Sequence, residues 1–379
     1  MAYLVSDEGK DLLRDVQEFV NSEIKEQVKD YDISGEWPKE LFDQAVEMQL
    51  HMLDIPEEYG GLGLSNIDHA AILEAMGYGD AGFAVTLNGN GLSFKPLLVA
   101  GSEEQKKRYA EIIVNGGYGA FALTEPNAGC DAGNVKATAV LDGDEYVLNG
   151  TKCFCTNAQI ADFYVVIAST DKEAKVKGLS AFLIDKGTKG VSVGSHENKM
   201  GIRTSITSDL ILEDVRIPKE NLLGKEGDGF KIAMETLDIA RTWCAVIGVG
   251  VAQRCIDEAV AYAKTRVQFG KPLAKNEVIQ FKIADMQMKT EAARQCCAHS
   301  LTLMERGEDY SMASATAKCL AGDAAMFAAT EAVQILGGYG YSRDYPVEKL
   351  FRDAKIFQIF EGTNEIQRLV VGRSVIGKI

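Results

Sequence analysis

The chain has 379 residues, 46 % hydrophobic and 25 % charged, the balance of a globular protein with room for two or three domains. Its 40 basic against 55 acidic residues leave a net charge of −15, which excludes a general nucleic-acid binder because phosphate contacts need a basic surface. Met1–Lys10 has no apolar h-region, and no apolar run reaches the length of a membrane span, so neither a secretory signal nor a membrane helix is expected.

In chain order, Leu12, Leu13, Val16, Phe19 and Val20 recur at helical spacing. Pro38, Lys39 and Glu40 open a second helix with Leu41, Phe42, Ala45, Val46 and Met48 on its apolar side. Tyr59–Gly63 breaks the pattern before another helix from Ile67, and helical stretches continue to about residue 115. Alternation and turn dipeptides then take over. Asp144–Leu148 runs into Asn149-Gly150, which predicts a hairpin turn there because both residues tolerate positive φ. Phe163–Ile167, Leu179–Ile184 and Asp209–Ile217 predict further strands, and short strands without intervening helices imply an antiparallel sandwich or barrel. Beyond Gly229 the helical pattern returns over Phe230–Tyr262, Val278–Arg306 and Met312–Leu336, as in a bundle. The expectation is an α+β chain of three domains: 1–116 all-helical, 117–228 antiparallel β, 229–379 a four-helix bundle.

Several motifs lack the context their chemistry needs. Gly248-Val249-Gly250-Val251-Ala252-Gln253 has no final glycine and no preceding strand, so close helix packing explains it better than dinucleotide binding. His51, His69, His196 and His299 are scattered, and the eight cysteines show no paired CxxC knuckles. Reduced, mostly buried thiols in a reducing compartment are the expectation, and no metal site. Two segments carry more. Ala122–Asp131 lies at the change from helix to strand, where a domain boundary makes a cleft. Glu361 stands between Phe360 and Gly362 just before a helix. A carboxylate against apolar walls gains proton affinity and becomes a usable base, while a helix-start acid answering the macrodipole is the plainer alternative.

Thr124–Asp131 resembles the TEPxAGSD signature of acyl-CoA dehydrogenases, Gly150–Asn157 their GxKxWITN segment, and Phe360–Gln367 the C-terminal EGT segment that carries their base. Arg266–Gly270 and Gln334–Gly338 resemble two further cofactor segments, all in family order over nearly the whole chain. The resemblance implies FAD between the last two domains and a homotetramer in which a neighbouring subunit holds part of each FAD. Leu123, Thr124, Gly129, Cys130, Phe154 and Thr156 would surround the flavin. Arg266, Gln268 and Phe269, with Gln334 and Gly338, would contact the cofactor across the subunit interface. Thr363 and Glu365 would complete the cofactor site near Glu361. Asp238, Arg241, Phe360, Gly362 and Cys130 would meet the acyl-CoA.

By the same resemblance, Glu361 takes the α-proton, its backbone N–H and a ribityl hydroxyl polarise the thioester carbonyl, and the β-hydride passes to flavin N5. Relatives that carry the base on the helix place it where this chain has Ala240, so Glu361 is the base expected here. Three departures stand out: Phe154 for a tryptophan, Cys130 for a serine, and Glu277 where glutamine is frequent. The implied reaction is oxidation of a short, branched or aryl-substituted acyl-CoA to the 2-enoyl-CoA, with an electron-transferring flavoprotein as partner and no nucleic acid or membrane. A physiological enoyl-CoA reductase, a non-catalytic flavin- or acyl-CoA-binding subunit and a flavin oxidase are the alternatives. The expected location is the cytoplasm, or an organellar matrix after removal of a transit peptide.

Overall fold

The computed structural model describes residues 5–377. Helix α1 (Asp7–Phe19) starts on Ser6, whose hydroxyl accepts from Gly9 N at 3.0 Å, and buries Leu13, Val16 and Phe19. It continues through a π-turn at Val20–Ile24 into α2 (Lys25–Ser34), and α3 (Lys39–Glu47) follows with Leu41, Phe42 and Ala45 buried. The next helices are α4 (Asn66–Gly79), α5 (Ala81–Ala100) and α6 (Glu103–Val114). Helix α5 is buried along nearly its whole length, so unlike α1 it has no solvent stripe and no amphipathic signature.

The middle region is one sheet. Its strands are β1 (Gly119–Ala122), β2 (Thr138–Asp142), β3 (Glu145–Thr156), β4 (Phe163–Ser169), β5 (Leu179–Asp185), β6 (Val191–Val193), β7 (Thr207–Pro218) and β8 (Leu222–Leu223). The order is β6-β7-β3-β2-β4-β5-β8, with β1 beside β4. Most pairs are antiparallel as expected; β1–β4 and the single β2–β4 pair are parallel. Asn149-Gly150 is not a turn. The turn lies between Asp142 and Glu145 at Gly143 (φ +68°), and β3 runs on through Gly150 with a register shift against β7. Pairing with β7 overrides the dipeptide's local preference, and Asn149 is held there by Asp214, with Asp214 N donating to Asn149 Oδ1 at 2.8 Å.

The C-terminal region comprises α7 (Gly229–Thr265), a small hairpin β9 (Val267–Gln268) and β10 (Lys271–Pro272), α8 (Glu277–Glu305), α9 (Ser311–Leu336), α10 (Val347–Ala354) and α11 (Asn364–Ile376). The three long helices match the sequence pattern to within a few residues. Gly250 does serve packing: a Cβ there would lie 2.3 Å from Glu74 O, so α7 meets α4 backbone to backbone. Helix α9 and the turn after it are long and apolar enough to cross a membrane, yet α9 buries Ala317, Ala321, Ala325 and Ala328 in the bundle core.

A buried charge cluster ties the three regions together. Asp80, which caps α5 by accepting from Phe83 N at 2.8 Å, also accepts from Thr204 and from Lys349 on α10. Lys349 reaches Asp353 at 2.6 Å, and Asp353 accepts from Ile202 N at 2.6 Å. One buried cation thus serves two buried carboxylates, which lowers the cost of burying either. The cluster fixes α10, the helix that leads to Glu361.

Candidate active site

After α10 a 3-10 turn (Lys355–Gln358) lays Phe357 across α9, where a Cβ on Gly322 would come within 2.5 Å of Phe357 O. The chain then turns back through two left-handed residues, Glu361 (φ +54°) and Gly362 (φ +84°), into α11, whose N-cap Thr363 accepts from Ile366 N at 3.4 Å. Glycine adopts that conformation freely; for glutamate it costs about 1–2 kcal/mol. Hydrogen bonds hold it in place. Gln367 Nε2 donates to Glu361 O at 2.9 Å and Gly362 O at 3.0 Å, and Lys318 Nζ donates to Gly362 O at 2.7 Å and Asn364 Oδ1 at 3.1 Å.

Glu361 Oε2 is buried with no hydrogen-bond partner among the described residues. Burial raises the carboxyl's proton affinity, against the fields of Arg241, Lys318 and Lys95, and the net pKa lies above the usual glutamate range. Lys318 is itself driven down to about 8 by burial. Arg241 on α7 donates through Nε to Leu237 O at 3.1 Å. Its Nη1 lies 2.8 Å from Asp238 Oδ1 but is out of line for a hydrogen bond, so proximity, not bonding, describes that pair. Burial raises the Asp238 carboxyl while Arg241 opposes it.

The loop after β1 faces the same region. Cys130 Sγ is 3.9 Å from Thr363 Oγ1, so the first and last of the family-like segments meet. Leu123 is buried, Thr124 half-buried, and Gly129 and Cys130 exposed; a Cβ on Gly129 would meet nothing within 4 Å. Thr124 O accepts from Cys153 N at 2.9 Å, which docks the loop on β3. There β3 shifts register between Lys152 and Cys155, and Phe154 (φ +55°) stands off the sheet with 64 % of its surface exposed, beside half-buried Thr156.

A second group lies elsewhere. Arg266, Gln268 and Gly338 line a groove of about 570 Å³ with Tyr262, Tyr339 and Ser342. The Arg266 guanidinium sits 5.2 Å over the Tyr339 ring. Phe269 at the hairpin tip is 99 % exposed with φ +50°, and Gln334 is exposed on the last turn of α9. Among the described residues no hydrogen bond or ion pair joins this group to Glu361. A larger groove of about 700 Å³, lined by Gln17, Glu74, Gln253 and Arg294, contains none of the expected site residues.

The loop carrying Leu123, Thr124, Gly129 and Cys130 thus docks on the β3 segment of Phe154 and Thr156 and meets Thr363, while Asp238 and Arg241 lie near the Phe360–Gly362 turn. Glu365 lies in the exposed first turn of α11, near Thr363; its own backbone N–H and then the Thr363 hydroxyl hold its carboxyl below the usual range. Sequence reasoning missed four contributors. Lys318 was signalled only as a lone basic residue in the alanine-rich α9. Glu125 and Lys152 form a buried ion pair at 2.7 Å, with Glu125 also accepting from Lys136 N at 2.6 Å and Ala137 N at 3.0 Å. That carboxylate is the fixed centre on which the loop folds. Lys95, on α5, adds its field to Glu361. All eight cysteines are free, and no group of three metal-ligating side chains exists among the described residues.

Three family models match in succession: acyl-CoA dehydrogenase N-terminal domain over residues 6–117, middle domain over 120–215 and C-terminal domain over 227–376. The chain is 43 % identical to a short-chain-specific acyl-CoA dehydrogenase of Megasphaera elsdenii, covering 99 % of this chain and 100 % of the relative. It is 42 % identical to an acryloyl-CoA reductase (NADH) of Anaerotignum propionicum, covering 99 % and 96 %. A solved chain from work on the electron-transferring flavoprotein of Acidaminococcus fermentans and flavin-based electron bifurcation is 45 % identical, with a TM-score of 0.96 and full coverage of both chains.

Proposed function

This chain belongs to the acyl-CoA dehydrogenase family of FAD-dependent oxidoreductases, and on that premise we propose that it oxidises a short acyl-CoA, branched or aryl-substituted chains included, to the 2-enoyl-CoA. The observation that carries the proposal is the buried, unpartnered Glu361 Oε2 with its raised proton affinity. An ordinary carboxylate is too weak a base at neutral pH, and a fully uncompensated buried one stays protonated. Burial set against Arg241, Lys318 and Lys95 gives an intermediate base. Glu361 Oε2 receives the α-proton. The Glu361 backbone N–H makes no hydrogen bond among the described residues, which leaves it free to polarise the thioester carbonyl as the enolate charge develops. Bound FAD supplies the two-electron acceptor for the β-hydride.

The residues fit that cofactor. An exposed Phe154 and the open Gly129 loop suit a planar ring system, with Leu123, Thr124, Cys130 and Thr156 around it and Thr363 and Glu365 beyond. Arg266 has the fork geometry for a pyrophosphate. Arg266, Gln268, Phe269, Gln334 and Gly338 lie apart from the flavin face and are exposed or half-buried, and this supports a homotetramer in which they serve a neighbour's FAD. Asp238, Arg241, Phe360 and Gly362 take the acyl-CoA beside the base, with Cys130. An electron-transferring flavoprotein is the proposed redox partner and the cytoplasm the proposed location. The domain limits 1–116, 117–228 and 229–379 belong to the same reading, supported by the change from helix to strand between Val114 and Gly119 and back between Leu223 and Gly229.

The acryloyl-CoA reductase relative favours a second reading, in which the same site works towards the saturated acyl-CoA and Glu361 returns the α-proton. Anaerobic titration of the FAD-loaded enzyme with butyryl-CoA tests the first: bleaching that disappears in Glu361→Gln is the expected result. A protein that binds no FAD after reconstitution would sink both readings.

A further inference from the structure

A second set of buried polar groups lies on the α5–α7 side of the base, and the chemistry above does not use it. Lys95 Nζ on α5 is 2.5 Å from Asp54 Oδ1, and this is its only hydrogen bond among the described residues. His69 on α4 lies 3.9 Å from the same carboxylate and stacks on Trp243 of α7 at 4.1 Å between ring centres. Lys95 lies 5.9 Å from the Trp243 ring. Asn88 sits two helical turns before Lys95 on the same face of α5. Trp243, Lys95, Asn88 and His69 are each more than nine-tenths buried, yet Trp243 Nε1 and Asn88 Oδ1 have no partner among the described residues.

A buried indole N–H without an acceptor, and a buried amide oxygen without a donor, each cost about 1–3 kcal/mol. Glu361 Oε2 is orphaned in the same way, and Lys95 is one of the cations whose field reaches it. The Cys244 thiol, next to Trp243 in the chain, feels both Glu361 and Lys95. Geometry agrees: a Cβ on Gly89, next to Asn88, would lie 3.4 Å from Thr156 Cγ2, and Trp243 follows Arg241 by two positions on α7. The unmet polar capacity therefore lies beside the proposed acyl site, where a purely hydrocarbon acyl chain would leave it unmet.

Charge decides what kind of group would meet it. Burial alone would raise the Asp54 carboxyl, but Lys95, and more weakly His69, hold it below its usual range. Burial lowers His69 to about 4, so the imidazole is neutral at pH 7. The cluster is a matched Lys–Asp pair plus neutral donors and acceptors. An added carboxylate would be an unmatched anion in a low-dielectric site already holding Glu361, whereas a neutral hydroxyl can accept from Trp243 Nε1–H or donate to Asn88 Oδ1.

Resting on the dehydrogenase reading, we propose that Trp243, Lys95 and Asn88 form a polar end to the acyl site and select acyl-CoAs whose distal end carries a neutral hydroxyl, aliphatic or phenolic. The test compares kcat/KM of the FAD-loaded enzyme for matched pairs: pentanoyl-CoA against its ω-hydroxy analogue, and phenylpropanoyl-CoA against its para-hydroxy analogue, with glutaryl-CoA as the charged control. The hydroxylated member of at least one pair is expected to be favoured by about tenfold, the worth of a recovered buried hydrogen bond. Trp243→Phe, which keeps the stack on His69 and removes the donor, is expected to collapse that ratio towards one. Lys95→Met with Asp54→Asn, which strands no charge, should lower it as well. Equal or better turnover of the plain acyl-CoAs overturns the inference and leaves the dehydrogenase reading standing, as does preference for glutaryl-CoA. If no acyl-CoA bleaches the bound flavin, the dehydrogenase reading falls and this inference with it.

Discussion

The two groups of residues proposed to face the cofactor and the substrate differ in how far one chain completes them. Around Glu361, side chains from α5, α7, α9 and the segment before α11 converge, burial shifts proton affinities, and hydrogen bonds hold two left-handed residues in place. At the β9–β10 hairpin, the end of α9 and the turn that follows, the same chain presents Phe269 and Gln334 to solvent, with Gly270, Gly337 and Gly338, where a Cβ would meet nothing. Acid–base chemistry needs a desolvated carboxylate, which one protomer's core supplies. Gripping the far end of a long cofactor needs only donors and stacking surfaces, which a neighbouring protomer can bury.

The largest expected effect comes from the base itself. Glu361→Gln should slow flavin reduction by acyl-CoA about 10³-fold or more while FAD stays bound; stopped-flow absorbance measures it, and near-normal reduction would remove Glu361 from the chemistry. Next is the pair that folds the flavin-facing loop. Lys152→Met leaves Glu125 buried and uncompensated, which should cost about 3–5 kcal/mol, read as a lower Tm together with FAD loss. Adding Glu125→Gln should recover part of the stability, because no charge is then stranded; if it recovers none, the ion-pair account is wrong.

Arg266→Ala should weaken FAD retention by about tenfold or more without moving the pH profile of turnover. An unchanged FAD affinity in the assembled protein would make the exposed groove a bystander and dissolve the contrast between the two regions. The smallest effect sharpens the buried side. Lys318 opposes protonation of Glu361, so Lys318→Met should move the carboxyl further up and shift the acid limb of kcat to higher pH. The sign follows from the base being active only when deprotonated: a higher pKa means activity is lost earlier as pH falls. A limb that stays in place would mean that Lys318 only braces the Gly362 carbonyl.

Much of this was legible from the chain. Helices α1, α3, α7, α8 and α9 announce themselves through apolar spacing, and β4, β5 and β7 through β-branched and aromatic runs. Glu361 drew attention because a carboxylate between Phe360 and Gly362 is locally unusual. Asn149-Gly150 misled because a turn preference is local, while the β3–β7 ladder that overrules it pairs Gly150 with Leu212, 62 positions away. Lys318 and Lys152 gave little warning for a related reason. A lysine's sequence neighbours do not say whether it is buried, and its partners, Gly362 and Glu125, lie 44 and 27 residues away.

The sequence by itself determined the order of helical, β and helical regions and, through the family-like Phe360–Gln367 motif, singled out the segment proposed to carry the base, because periodicity and short motifs are properties of neighbouring residues. Only the tertiary structure decided the electrostatics: which carboxylate is desolvated, which lysines offset it, and which polar atoms, such as Trp243 Nε1 and Asn88 Oδ1, are left without partners. Those depend on burial and on charges brought together from distant parts of the chain, and a low dielectric gives them their weight.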